Sequence, residues 1–516
     1  MAESKPVVSK VELPLKKGVI RIEDGETSQG RDQEAQTQSG LSREERYKMF
    51  EEEENEVQIS KTPKIQKVIF LHRDHKHFVK YYEPRVVSLG PIHHGKERYQ
   101  LAEKFKLILA REFVKSSGKT IKEICEAIDG KIKELRECFE EEVTKKYNDV
   151  DLAWILVVDG CAILQYIYLA VLDKLKELNI KPDSVAFCQQ DLFLLENQVP
   201  YDLLELLMSL SNAKNELRNS VQNFIKKNHY AVLWDKQQGE NTNGPVPENP
   251  QEENGKRKPT HLLDLLRSSL LGPQKQSDNA KKNDETTNQP SNGTKSFCGD
   301  FAAILGNGKK SSDLQFYRNV QELKAAGIHV KRSKDNSLRS GIYFNRKLHL
   351  SGFLSLPSLK VDDSTGPKLL NLIAYEMCLD FKNDFGITSY VSFLDSLIDE
   401  ANDVKELRKA HVLCNLLGSD NEVAQLFNEI GTDLVPDLGE YKEVRNQIQK
   451  YCDNTFMTWM AEVFHNHFSS PWTVLAFLGA LFALALSFAQ TWYAVNSPPG
   501  PCDKFCEKFN QNLRKG

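Results

Sequence analysis

The chain has 516 residues, 40% of them hydrophobic and 27% charged, which is room for one large domain or two of ordinary size with polar segments to spare. Its 68 basic and 72 acidic side chains leave a formal charge of −4, so no basic excess points to nucleic acid. None of the ten cysteines forms a CxxC pair, which speaks against a zinc ribbon or thioredoxin-like site, and their scatter through apolar runs suits a reducing compartment.

In chain order, residues 1–60 are polar, end near the acidic run Glu51–Glu54, and are predicted to be a disordered N-terminal arm without the apolar core of a signal peptide. Residues 61–235 read as the first half of a helical domain. It opens with VIFLH at 68–72 and the turn-rich segment YYEPRVVSLGPIHHG at 81–95, punctuated by Pro84, Gly90, Pro91 and Gly95. The spacing then predicts an amphipathic helix over 97–115, with Leu101, Phe105, Ile108 and Phe113 near one face. A second helix is predicted over 120–147 and a third, nearly all apolar, over 151–178. Asp159 interrupts the third near its centre; an ionised carboxylate is costly inside a bilayer, so this run reads as a buried core helix. DLFLLENQVPYDLLELLMSL, 191–210, predicts two helical pieces joined at Pro200.

Residues 236–312 shift to Asn, Gln, Gly, Pro, Lys and Glu, the composition of a long disordered insertion. One island, THLLDLLRSSLL, predicts a short helix over 260–271 with Thr260 as N-cap, docked on the body because so short a helix is marginal alone. The second half, 313–470, begins with an amphipathic helix stopped by Gly327. Alternation with β-branched and aromatic residues predicts a small antiparallel β patch over 328–361, after which helices resume from Pro367, Ser389, Asn421 and Tyr441. The expected fold is mainly α: a large helical domain with one β patch, a long insertion and a C-terminal transmembrane helix. That helix is Trp472–Val495, free of charged residues; at about 1.5 Å rise per residue it covers roughly 36 Å, more than the roughly 30 Å hydrocarbon core. Trp472, Trp492 and Tyr493 sit at its ends, where amphipathic rings favour the interfaces. Residues 496–516 form a short tail.

Few side chains in this sequence suggest chemistry. His72, His75, His77, His93 and His94 cluster, and His93 and His94 are the metal-ligand candidates, although the spacing fits no standard zinc motif and HRDHKH reads equally well as a solvated turn. Asp191 and Glu196 could be an acid–base pair; the competing reading makes Asp191 an N-cap and Glu196, Asn197 and Gln198 a polar cluster at a helix break. Asp362 and Asp363 read as turn and cap residues. No GxSxG, HExxH, Walker-type or kinase motif occurs. No catalytic residue and no cofactor is therefore assigned. Asn292 begins an N-glycosylation triplet that matters only if its domain enters the secretory lumen.

Taken together, YYEPRVVSLGPIHHG (81–95), DGCAIL (159–164), DLFLLENQVPYDLLELL (191–207), HLLDLLR (261–267), LSLPSLKVDDST (354–365) and SYVSFLDSLI (389–398) resemble, in this order, the plant domain-of-unknown-function 247 family. The resemblance runs from about residue 62 to 495. It implies a largely helical plant membrane protein without an established catalytic activity, some of whose members are linked to recognition between pollen and stigma. His93 and His94 match the family's His-His pair, which has no assigned role.

The expectation is a single-pass protein of the plasma membrane or another endomembrane. Its partners are the lipid bilayer, through the C-terminal helix, and a protein; nucleic acid is not among them. The alternative is a membrane-anchored hydrolase or transferase with a site assembled from distant residues. For topology, Lys504, Lys508, Arg514 and Lys515 after the span favour a cytosolic tail. The lack of a signal peptide and the scattered cysteines favour a cytosolic body, and that orientation is the one expected.

Overall fold

A computed structural model describes residues 63–74, 76–178, 181–233, 257–273, 319–347, 351–382, 384–453, 471–496 and 500–514, besides positions 43 and 47. The predicted arm, the predicted insertion apart from 257–273, Asn292, and the approach to the apolar run lie outside the described residues.

Two single turns, α1 (Phe70–Arg73) and α2 (Phe78–Tyr82), precede the turn-rich segment. Next comes α3 (Gln100–Ser117), ended by Gly118 at φ 71°. The face it buries shares only Phe113 with the predicted one. Ala102, Lys106, Leu109 and Phe113 turn inward, while Leu101, Phe105 and Ile108 stay exposed. The reason is Lys106, whose ammonium finds a buried partner and draws its own side of the helix into the core.

The helix predicted over 120–147 is three short ones: α4 (Ile121–Asp129), α5 (Ile132–Glu137) and α6 (Glu141–Thr144). Thr120 and Glu123 open α4 with a capping box. The chain then breaks to let Ile65 bridge to Phe139, with the Ile65 N–H on Cys138 O at 2.8 Å and the Glu140 N–H on Ile65 O at 3.0 Å.

The apolar run is α7 (Asp149–Val171), begun by Asn148, whose side chain accepts the Asp151 N–H at 2.8 Å. It is the core helix, as expected, with Leu152, Leu156, Cys161 and Ile167 fully enclosed. Helices α8 (Pro182–Asp191), α9 (Tyr201–Leu210) and α10 (Lys214–Val232) follow. Of these, α9 and α10 pack on α7, as do α3 and α4. At Gly160 a β-carbon would press on Leu203 and Leu207 of α9, so the glycine lets these two helices approach closely.

The island is α11 (Leu262–Leu271), and it docks. Its cap is His261 rather than Thr260: His261 Nδ1 accepts the Asp264 N–H at 3.1 Å, while the Thr260 carbonyl accepts the Tyr201 N–H at 2.8 Å. Arg267 reaches on from α11 into the second half, donating to Glu376 Oε1 at 2.8 Å.

Past the insertion, α12 (Val320–Ala325) leads through Gly327, at φ 84°, into strands β1 (Ile328–Arg332), β2 (Tyr343–Lys347), β3 (Ser351–Leu356) and β4 (Leu359–Val361). The β patch forms, but its pairing is mixed. β3 lies between β1, parallel to it, and β2, antiparallel to it. The parallel partner arises because the chain crosses over between β1 and β2 instead of turning tightly back. Helices α13 (Thr365–Glu376), α14 (Gly386–Leu397) and α15 (Ala401–Lys409) follow, then β5 (Leu413–Asn415), which pairs parallel with β4. Next are α16 (Asp420–Ile430), capped by Ser419, and α17 (Lys442–Cys452). Asp362 makes the expected turn, accepting the Ser364 N–H at 2.9 Å.

Residues from both flanks of the insertion share one apolar core. Apart from it, α18 (Pro471–Asn496) and α19 (Pro501–Leu513) carry their apolar side chains exposed.

Candidate functional site

The segment 84–95 has no regular secondary structure, so its backbone N–H groups need partners from elsewhere. The stretch after α8 supplies them. Asp191 Oδ1 accepts the Arg85 N–H at 2.9 Å, and Oδ2 accepts those of Val86 and Val87 at 2.7 and 2.9 Å. Asn197 Oδ1 takes the Leu89 N–H at 2.7 Å, and its amide donates to the Val87 and Asp191 carbonyls. From α7, Asp159 Oδ2 takes the Gly90 N–H at 2.8 Å. Gly90 sits at φ 66°, and a β-carbon there would overlap the Gln198 carbonyl, so only glycine fits.

Asp191 is therefore not an N-cap. It is the last residue of α8, and residues 192–200 are irregular, with α9 opening immediately after Pro200. The expected first helical piece fails because Asn197 and Gln198 hydrogen-bond the carbonyls of residues 191, 192 and 194 that such a helix would have used. Burial pushes the Asp191 carboxyl upward and three backbone N–H groups pull it back only in part. Glu196 goes the other way. Its burial is outweighed by His93, the Val68 N–H and Arg73, which hold its carboxyl below the usual range. The His93 ring nitrogen stands 3.2 Å from Glu196 Oε2, within ion-pair reach but off hydrogen-bond alignment.

His75 lies outside the described residues, and the other four histidines do not converge. His72 contacts Met377 Sδ at 3.0 Å and Tyr82, His77 faces Glu429, and His94 lies edge-on to Tyr147. Among the described residues no group of three His, Cys, Asp or Glu side chains is arranged to hold a metal ion. Asp191 and Glu196 each bind a different stretch of backbone, at 85–87 and at 68.

The braced segment forms one wall of a cavity of about 540 Å³; α3, α7 and α8 form the others. Its apolar lining includes Val87, Leu109, Ala162, Ile163 and Leu192. Phe105 and Leu101, the unexpectedly exposed residues of α3, stand at its edge. Four cations line it: Arg85, Arg98, Lys106 and Lys181. The volume and the mainly apolar surface with few polar groups match ordinary small-molecule pockets. Sequence reasoning found the carboxylates but missed Lys106 and Arg85, since a lysine on the buried face of a helix carries no spacing signal.

The profile of the family described as DUF247, plant protein of unknown function, matches residues 65–486. The chain belongs to this family. Among curated proteins, a UPF0481 protein of Arabidopsis thaliana is 28% identical over 432 residues, covering 81% of this chain and 83% of that one. A putative UPF0481 protein of the same plant is 22% identical over 480 residues, 81% of this chain and 87% of its own. No solved structure matches. In this DUF247 chain the matched region takes in the braced segment, the cavity, both flanks of the insertion and most of α18.

Proposed function

We propose that this DUF247 protein is a single-pass, membrane-anchored recognition module whose helical body binds a protein partner. The observation that supports the anchor is the contrast between its two long apolar helices. α7, with a mean hydropathy of 1.8 over its most apolar window, is 78% buried in the body, whereas Trp472–Asn496, at 2.1, is 0% buried. A continuous apolar surface of that length is far beyond what a soluble monomer leaves in water, and a bilayer covers it. The binding role is supported by the use of the buried polar groups. Asp159, Asp191, Asn197 and Gln198 all hold backbone in place and so build a rigid scaffold around a cavity.

The body faces the cytosol in this reading. Cys125, Cys138, Cys161, Cys188, Cys378 and Cys414 of the body form no disulfide, and burial pushes the thiols of Cys138 and Cys161 up to about 11 and about 12, as inert side chains in a reducing space. Proximity labelling with the intact chain and with a chain ending before Pro471 tests the role. A protein set that requires the anchor is expected, and identical sets would contradict it. Asn292→Gln tests the orientation: no glycosidase-sensitive mass should be present to abolish, and its presence would reverse the assignment.

A further inference from the structure

The four cations of the cavity divide into two kinds. Lys106 is spent on Asp159 and Glu103, at 2.6 and 2.7 Å. Arg98 is spent on Glu83 at 3.0 Å and on the Pro84 carbonyl at 2.7 Å. Arg85 and Lys181 differ. Both are exposed, and among the described residues neither head group forms a salt bridge, although the Arg85 charge still acts at longer range on Asp191. The Arg85 guanidinium lies over the Phe187 ring, 5.3 Å from its centre, which leaves its fork edge open. One carboxylate, Asp183, also lines the cavity. Inward from these cations the only charged lining residue is Lys106, neutralised by Asp159; the rest of the wall includes Ala162, Ile163, Leu109 and Leu192, with the Cys188 thiol pushed up to about 12 by burial and hence neutral. Outward, Phe105 and Leu101 remain exposed while the face of α3 that carries Lys106 turns into the core.

We propose that this cavity binds a small amphipathic organic anion, its carboxylate or phosphate held by Arg85 and Lys181 and its apolar body lying against Ala162, Ile163 and Phe105. The arrangement accounts for the unpaired cations and for the exposed edge of α3 together. A charged group at the mouth stays partly hydrated and is held by charge-assisted hydrogen bonds, while the buried portion meets mainly carbon and a neutral thiol. This inference does not depend on the anchor, because the cavity lies wholly in the body.

The test is titration of the full chain in lipid nanodiscs with octanoate, octanol, octyl phosphate and inorganic phosphate, with empty nanodiscs as reference. Octanoate or octyl phosphate should bind saturably, at least tenfold more tightly than octanol and than inorganic phosphate, and the tighter of the two identifies the head group. Arg85→Ala and Lys181→Ala should each weaken binding about tenfold. Both side chains are exposed, and Arg85→Ala keeps the backbone N–H that Asp191 holds, so both variants fold. Octanol binding as well as octanoate, inorganic phosphate binding as well as either amphiphile, no saturable binding, or indifference to both substitutions would each overturn the proposal.

A separate observation concerns the tail. On α19, Cys502, Phe505, Cys506, Phe509 and Leu513 fall on one helical stripe, with Lys504, Glu507, Lys508 and Gln511 opposite. Phe505, Phe509 and Leu513 are exposed, and α19 starts five residues after α18 ends. We infer that α19 lies along the bilayer surface with this stripe in the acyl boundary. The inference rests on α18 being a span, and site-resolved alkylation in nanodiscs with a water-soluble maleimide separates the two claims. Cys502 and Cys506 should react at least tenfold more slowly than Gln511→Cys, and Gly479→Cys in α18 should not react. Fast Cys502 and Cys506 with silent Gly479→Cys would overturn the surface helix alone; a reactive Gly479→Cys would overturn the span.

Discussion

The Lys106 ammonium and the Asp159 carboxylate meet at 2.6 Å with almost no solvent at either. One comes from an amphipathic helix and the other from the most apolar helix of the body. Burial raises the Asp159 carboxyl and Lys106 opposes that rise, while Lys106 is kept above the ordinary lysine value by Asp159 and Glu103 against its own desolvation. Asp159 also holds Gly90, so the pair ties α3 and α7 to the braced segment.

Breaking that pair from one side leaves a buried charge. Asp159→Leu should therefore cost about 3–5 kcal/mol, and the double variant Asp159→Leu with Lys106→Met should recover much of the loss. Denaturant unfolding of the four chains measures the coupling. If the double variant is as unstable as the single one, the pair is not what fails.

Gly90→Ala adds both strain and overlap. The left-handed backbone alone costs an ordinary residue roughly 1–2 kcal/mol, and the Gln198 carbonyl occupies the space a β-carbon needs. The variant should lose several degrees of thermal midpoint. At Gly95, with φ 85° and open space around it, alanine should cost only the strain term. Equal losses at the two positions would refute the contact.

Asn197→Ala and Asn371→Ala each strand buried backbone groups. Asn371 accepts the Leu195 N–H and donates to the Tyr81 carbonyl, both at 2.8 Å, joining the halves that flank the insertion. Each change should cost roughly 1–3 kcal/mol. The measurement is the unfolding midpoint, and a fully stable variant with altered binding would make the residue functional instead.

His261 gives the fold a pH dependence of known sign. Burial lowers its imidazole from 6.5 to about 4, and its cap on Asp264 needs the unprotonated Nδ1. Its contribution is whole above pH 6.5 and lost as pH falls to about 4, a total of about 3 kcal/mol. His261→Asn should keep the cap and flatten that part of the stability profile between pH 6.5 and 4. An unchanged profile would show that the imidazole is protonated in the folded state.

Periodicity made α7, the docked α11 and the apolar α18 legible, because each signal is local to the run that carries it. The β patch was legible as strands but not as a pairing, since the partner of β1 depends on a crossover and not on alternation. The brace was invisible for a related reason. Asp191 and Arg85 are 106 positions apart, and residues 84–95 have no period of their own. The buried face of α3 was misread because pairing with Asp159 lets a lysine sit where apolar side chains are expected.

The central claim is that a bilayer covers α18. Alkaline carbonate extraction of membranes carrying the full chain, beside a chain ending before Pro471, tests it most directly. The full chain should stay in the pellet and the truncated chain should be released; a full chain recovered in the soluble fraction would show that no bilayer covers α18.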